Sequence, residues 1–175
     1  IGGIHLNTIE FMNDVHPIRK KSEANDFIKR TDLIKEVYQG VLADLEKQAK
    51  SGIYPPEFVY GHVIKQLDEF IEYSNEEHPL YTQFMSKINQ LDLNQEDVNY
   101  FENEIKRSIS ESVTPGFKVL RDFMIRTQKY ANKNHGIWSQ PGGDEYYKLK
   151  IRTFTTTDYS PEEIHQIGLS EVKRI

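Results

Sequence analysis

The stretch "TDLIKEVYQGVLADLEKQAKSG" constrains the fold of this chain most tightly. Ile34, Val37, Tyr38, Val41, Leu42, Leu45 and Ala49 recur at helical spacing with Lys and Glu between them. That is the pattern of a helix that must bury one stripe against other elements. Thr31 or Asp32 is expected to cap its start, and Gly52 to end it. Upstream, "SEANDFIKR" predicts a shorter helix capped by Ser22. Downstream, "YPPEFVYGHVIKQLDEFIEYS" predicts a helix with Pro56 near its first turn, where a missing N–H costs least. Phe58, Val59, Val63, Leu67, Phe70 and Ile71 form its expected buried stripe.

"HPLYTQFMSKINQL" reads as a further short helix. In the segment from Asn94 to Asn132 the helical period runs through Val98, Phe101, Ile105 and Ile109, then Val119, Leu120, Phe123 and Met124. Pro115-Gly116 interrupts it, which predicts a kink or a break. No repeat of fixed period is present. The chain therefore reads as all-α, an irregular multi-helix assembly.

Composition bounds the function classes. With 175 residues, 37% hydrophobic and 28% charged, the chain is the size of one ordinary domain and globular rather than disordered. Its net charge of −5, with scattered basic residues, argues against a nucleic-acid partner. No run has the length of a membrane span. The absence of cysteine excludes disulfides, thiolate metal sites and cysteine nucleophiles without fixing a compartment. The chain opens Ile1-Gly2-Gly3-Ile4, with no starting Met and no basic leader, and stops at Ile175 in mid-pattern. It is expected to be a helical segment of a larger protein.

The chain divides into a helical part over 1–134, a Gly/Pro/Thr-rich loop region over 135–160, and the start of a terminal helix over 160–175. Within the second, residues 144–157 are open between two readings. Tyr147, Leu149, Ile151 and Thr153 alternate with charged residues as a strand would. Asp144 could equally cap a helix stacking Tyr147, Ile151 and Thr155, and the helix is favoured. The terminal helix has the clearest start: Ser160-Pro161-Glu162-Glu163 places Ser at the N-cap, Pro at the first position and Glu at the third, a capping box.

Two constellations carry candidate chemistry. On the terminal helix stands His165, without the second histidine that a His-Glu-x-x-His zinc helix needs. Glu171 lies about 120° away around the axis, so the two do not converge alone. Gly168 costs up to about 1 kcal/mol relative to Ala inside a helix, which points to something packed or bound close to the backbone there. The competing explanation is a helix–helix contact with His165 at its edge. The second constellation is "QPGGDEYY". Gly142 and Gly143 allow the backbone to approach a ligand, and Tyr146 and Tyr147 could donate hydroxyls to a carbonyl or oxyanion. The alternative is a tight turn with core and rim tyrosines. A phosphate loop is excluded, because Gly-Lys-Ser/Thr is missing. His16 and His78 precede prolines and are expected in turns, His62 in a helix and His135 in a loop.

Several blocks together resemble one family. "IGGIHLNTIEF", "SGIYPPEFV", "PLYTQF", "VTPGFKVLRDF", "HGIWSQPGGDEYY" and "TTTDYSPEEIHQIGLSEVKRI" are similar, in that order, to the bacterial domain of unknown function 885 family, from Ile1 to Ile175. The resemblance implies a mostly helical bacterial protein of several hundred residues, akin to helical zinc metallopeptidases. Such proteins carry a His-Glu-x-x-Pro-Gly-His-like motif holding zinc and a general-base glutamate. That motif is absent from this chain, so no cofactor is expected within it, and zinc is expected for a full-length protein. The resemblance also implies a cell-envelope or periplasmic location. Its partners would be the remainder of the same polypeptide and a peptide substrate. Cleft walls and substrate contacts would come from Gly142, Gly143, Tyr146, Tyr147, Thr155, Thr156, His165 and Glu171.

Overall fold

A computed structural model describes residues 3–175. Ile1 and Gly2, which open the first family-like block, lie outside the described residues. The fold is all-α, with a single isolated bridge, Pro56 to Asn132, as the only β-type pairing among the described residues. Its helices are α1 (Ile4–Glu10), α2 (Lys21–Asp32), α3 (Ile34–Lys50), α4 (Glu57–Glu72), α5 (Pro79–Ile88), α6 (Gln95–Ser108), α7 (Thr114–Thr127), α8 (Gly143–Thr155) and α9 (Pro161–Arg174).

Helices α3 and α4 both pack on α7, and α2, α5 and α6 close the other side. The core is aromatic. Phe27 sits 4.8 Å from Phe84, Tyr38 5.5 Å from Phe117, and Phe117 5.3 Å from Phe70, centroid to centroid. A smaller cluster of Tyr60, Phe123 and Met124 continues it to the far end of α7. Burying side chains of this size stabilises by roughly 1.5–3 kcal/mol each, which sets the helix positions more firmly than local propensity does.

The structure corrects several local readings. Of the kink or break predicted at Pro115, no break occurs: a π-turn over Ile109–Val113 joins α6 to α7, with Thr114 N–H donating to the Ile109 carbonyl. Proline has no N–H, and its ring would collide with the carbonyl four residues back. Widening one turn accommodates it without interrupting the rod. Gly116 is required by packing: a Cβ there would stand 3.0 Å from Tyr38 Cδ2 and 3.3 Å from Lys35 Cα.

Neither Thr31 nor Asp32 caps α3. Both belong to α2, Thr31 is buried, and its hydroxyl donates to the Phe27 carbonyl at 2.8 Å. Only Leu33 separates the two helices. Ser22 is likewise not a cap, since α2 starts at Lys21 after an N-cap Lys20. There the Glu23 carboxylate reaches back to the Arg19 N–H at 2.7 Å. Phe58 and Val37 are exposed, whereas Tyr60 and Leu67 are fully buried in α4. Gly52 does end α3, with φ +76° just past the C-cap Ser51.

The loop region of 135–160 is largely helical, and the helix reading of 144–157 holds up to Thr155. Its N-cap is Gly142, in the left-handed region at φ +69°, rather than Asp144. Asp144 and Glu145 instead fill the first turn, where acidic groups favour the exposed N–H ends. α9 begins as predicted, with the Ser160 hydroxyl accepting from Glu163 N–H and the Glu163 carboxylate accepting from Ser160 N–H.

Candidate functional site

A groove runs along the end of the bundle where α3, the extended segment 53–56 and the 135–143 loop meet. It consists of two adjoining hollows of about 310 and 360 Å³ that share Gln48, Ile53, Ile137 and Gln140. The first reaches to Leu45, Pro56, Phe123 and His135, and the second to Pro141, Gly143 and Tyr146.

Local chemistry builds these walls. Gly52 turns the chain out of α3, and the prolines at 55 and 56 hold the 53–56 segment extended. The Gln140 side chain then binds this segment as a second strand would. Its Nε2 donates to the Tyr54 carbonyl at 2.9 Å, and its Oε1 accepts from the Tyr54 N–H at 3.3 Å. Tyr54 stacks on Tyr130 with centroids 5.4 Å apart, and His135 lies edge-on to Phe58 at 4.8 Å. The loop is closed on itself: Ser139 Oγ donates to the Gly136 carbonyl at 2.8 Å. Gly143 is buried, and a Cβ there would fall 1.9 Å from the Ile137 carbonyl oxygen. Only glycine lets α8 start against this turn.

The groove gathers some of the residues singled out from sequence and leaves others apart. Gly143 and Tyr146 line it. Gly142 supplies the left-handed bend at its edge. Tyr147 is not among the lining residues and is half exposed. Thr155 and Thr156 sit at the other end of α8. There Thr155 Oγ1 donates to the Ile151 carbonyl, and Thr156 closes the helix at φ 56°. His165 and Glu171 lie on α9, both exposed, and Glu171 accepts from Arg174 Nε at 2.7 Å. Nothing within 4 Å would meet a Cβ at Gly168, so the close neighbour expected there is not supplied by these residues. Sequence reasoning missed Ile53, Tyr54 and Gln140. The signal available for them was that "SGIYPPEFV" and "HGIWSQPGGDEYY" are two of the family-like blocks.

Three histidines are structural. His5 Nε2 lies 2.9 Å from Gln66 Oε1, and burial lowers its pKa. His16 Nδ1 donates to the Pro17 carbonyl at 2.9 Å, and burial lowers its pKa too. His78 is the N-cap of α5, its Nδ1 accepting from Leu80 N–H at 3.2 Å, and burial pushes its pKa down to about 4. All three therefore stay neutral at neutral pH.

No three His, Asp or Glu side chains among the described residues stand close enough to share a metal ion. What the groove provides is apolar surface, the His135 imidazole, the Gln48 amide, the Gln140 amide committed to the backbone, and the Tyr54 and Tyr146 side chains. Apolar surface with a few polar groups at its edge is the make-up of a pocket that holds an apolar group.

The fold and groove define an all-α protein with an apolar end-groove and no helix long and apolar enough to cross a membrane among the described residues. The chain belongs to the family described as bacterial protein of unknown function (DUF885), which it matches over residues 1–175. It is similar to a solved structure described as "the putative lipoprotein from Colwellia psychrerythraea", with 28% identity and a TM-score of 0.92. That likeness covers 99% of this chain and 30% of the other, so the chain spans under a third of its neighbour's length. No curated protein matches it.

Proposed function

We propose that this chain is a helical part of a larger bacterial zinc-dependent peptidase or related hydrolase of the cell envelope, forming cleft walls rather than the metal centre. The observation that carries the reading is the convergence of two family-like blocks at the groove. Tyr54 and Gln140, 86 positions apart, are paired through two hydrogen bonds. The 135–143 loop they fix presents His135 and Ile137, and the first turn of α8 that follows it adds Tyr146. In this reading the groove takes an apolar side chain of a peptide, and the Tyr146 hydroxyl donates to a substrate carbonyl. His165 and Glu171 orient substrate or support the centre from α9. Zinc would supply carbonyl polarisation and an activated water from residues outside this chain. The envelope location draws support from the lipoprotein description of the Colwellia structure.

The test is peptide hydrolysis by the full-length protein on a broad peptide library, with and without a chelator. Chelator-sensitive cleavage is expected. Absence of cleavage, or cleavage indifferent to chelator, overturns the metallopeptidase reading. A non-catalytic peptide-binding module is the second reading, and the predominance of apolar groups in the groove favours it. A downstream sequence lacking a His-Glu-x-x-x-x-His pattern would decide for it.

A further inference from the structure

Helices α8 and α9 are built differently from the rest of the molecule. α9 has a complete capping box, yet none of its residues is buried. Phe154 is 81% exposed and Val172 74%. Ile164, Gly168 and Val172 fall at i, i+4 and i+8, so they form one ridge line along the helix. Ile167 and Ile175 flank that line. The centre of the ridge is therefore a notch, and nothing within 4 Å occupies the space a Cβ would take at Gly168. A notch in an apolar ridge lets a second helix approach closely, backbone to backbone.

The arm also keeps a definite direction. Inside this chain α8 is anchored mainly by its start on the Ile137–Ser139 turn. Residues 143–175 make up 33 of the 175 residues. A TM-score of 0.92 over 99% of the chain is out of reach unless those residues superpose on the Colwellia structure as well. The same arm direction thus recurs in a protein only 28% identical, whose chain is over three times as long. Self-contacts this sparse give the arm little to hold it, and the Colwellia chain has a further 70% of its length outside the matched part to supply such a hold.

We infer that the Ile164–Gly168–Val172 ridge of α9 is the seat of a helix supplied by a part of the same polypeptide outside residues 1–175. This rests on the reading that the chain belongs to a longer protein. Gly168 serves there as the close-approach point, and the apolar ridge supplies the buried area.

The experiment uses full-length protein carrying either Val172→Cys, on the ridge, or Gln166→Cys, on the opposite face. Maleimide labelling is followed at the tryptic peptide containing each site. Val172→Cys is expected to label at least tenfold more slowly than Gln166→Cys. Equal rates in a longer chain overturn the inference while leaving the larger-protein reading intact. Protection that disappears on dilution assigns the ridge to a second copy and also overturns it. An intact mass showing that the natural polypeptide ends at Ile175 defeats the underlying reading itself. Gly168→Ala supplies an independent sign. Alanine raises the melting temperature of a helix facing water, and lowers it in a filled notch. A fall is expected, and a rise overturns the close-approach role.

Discussion

The Ser112 hydroxyl donates to the Asp32 carbonyl at 2.8 Å while accepting from the Lys35 N–H at 3.1 Å. One side chain on the π-turn thereby serves the last turn of α2 and the first turn of α3. Arg107, one turn earlier, adds a bond from Nη2 to Asp32 Oδ2 at 2.9 Å. The abrupt α2–α3 junction, with only Leu33 between the helices, is held from outside by α6 and its π-turn. Ser112→Ala leaves two half-buried backbone groups unpaired and is expected to cost about 1–3 kcal/mol. Urea unfolding measures this, and a loss below about 0.5 kcal/mol would show that water replaces the hydroxyl.

Gly116 sets the spacing of α7 and α3. Gly116→Val should destabilise by about 1–3 kcal/mol through overpacking against Tyr38 and the Lys35 backbone. Gly40, where a Cβ would meet nothing within 4 Å, is the control: Gly40→Ala should stabilise by up to about 1 kcal/mol. Thermal melts of the two variants moving in the same direction would refute the packing argument.

His78 links stability to acid. Its ring is fully buried beside Phe70, Tyr73 and Phe117. Its folded pKa of about 4 lies below the ordinary 6.5. The unfolded chain therefore binds the proton more readily. The contribution is complete above pH 6.5 and is lost as pH falls towards 4, by about 3 kcal/mol at most. His5 and His16, also lowered by burial, act in the same direction. His78→Asn keeps an N-cap acceptor and should flatten the dependence of unfolding free energy on pH between about 6.5 and 4.5. A slope as steep as in the unaltered protein rules this out.

The groove should loosen locally when its amide clasp is removed. Gln140→Ala is expected to speed hydrogen exchange at the Tyr54 amide about tenfold, the equivalent of roughly 1.4 kcal/mol of local opening. Global stability should change little, because Gln140 lies outside both core clusters. Unchanged exchange at Tyr54 would place the loop's rigidity elsewhere.

Chelator is expected to leave the melting temperature of this 175-residue chain unchanged. Zinc titration followed by calorimetry should show no stoichiometric tight binding. A bound zinc with His165 as a ligand would contradict the placement of the metal centre outside these residues.

Much of the helical layout is legible in sequence alone. The stripe through Ile34, Tyr38 and Leu45, the Gly52 stop and the Ser160–Glu163 capping box each depend on spacing or on short-range hydrogen bonds within a few residues. The family resemblance likewise rests on residue order. The features that sequence left undecided depend on partners distant along the chain. Whether Thr31 caps α3 or extends α2 was settled by Ser112, 80 positions away from Asp32. Whether Pro115 breaks a helix or is absorbed into a π-turn was settled by how α7 packs on α3. The groove exists because Gln140 meets Tyr54, a pairing that leaves no periodic trace. Local propensity and patterning determined which segments are helices. Only tertiary packing decided where those helices stop and which side chains face one another, because burial and long-range hydrogen bonds there outweigh the fractions of a kcal/mol that local preference supplies.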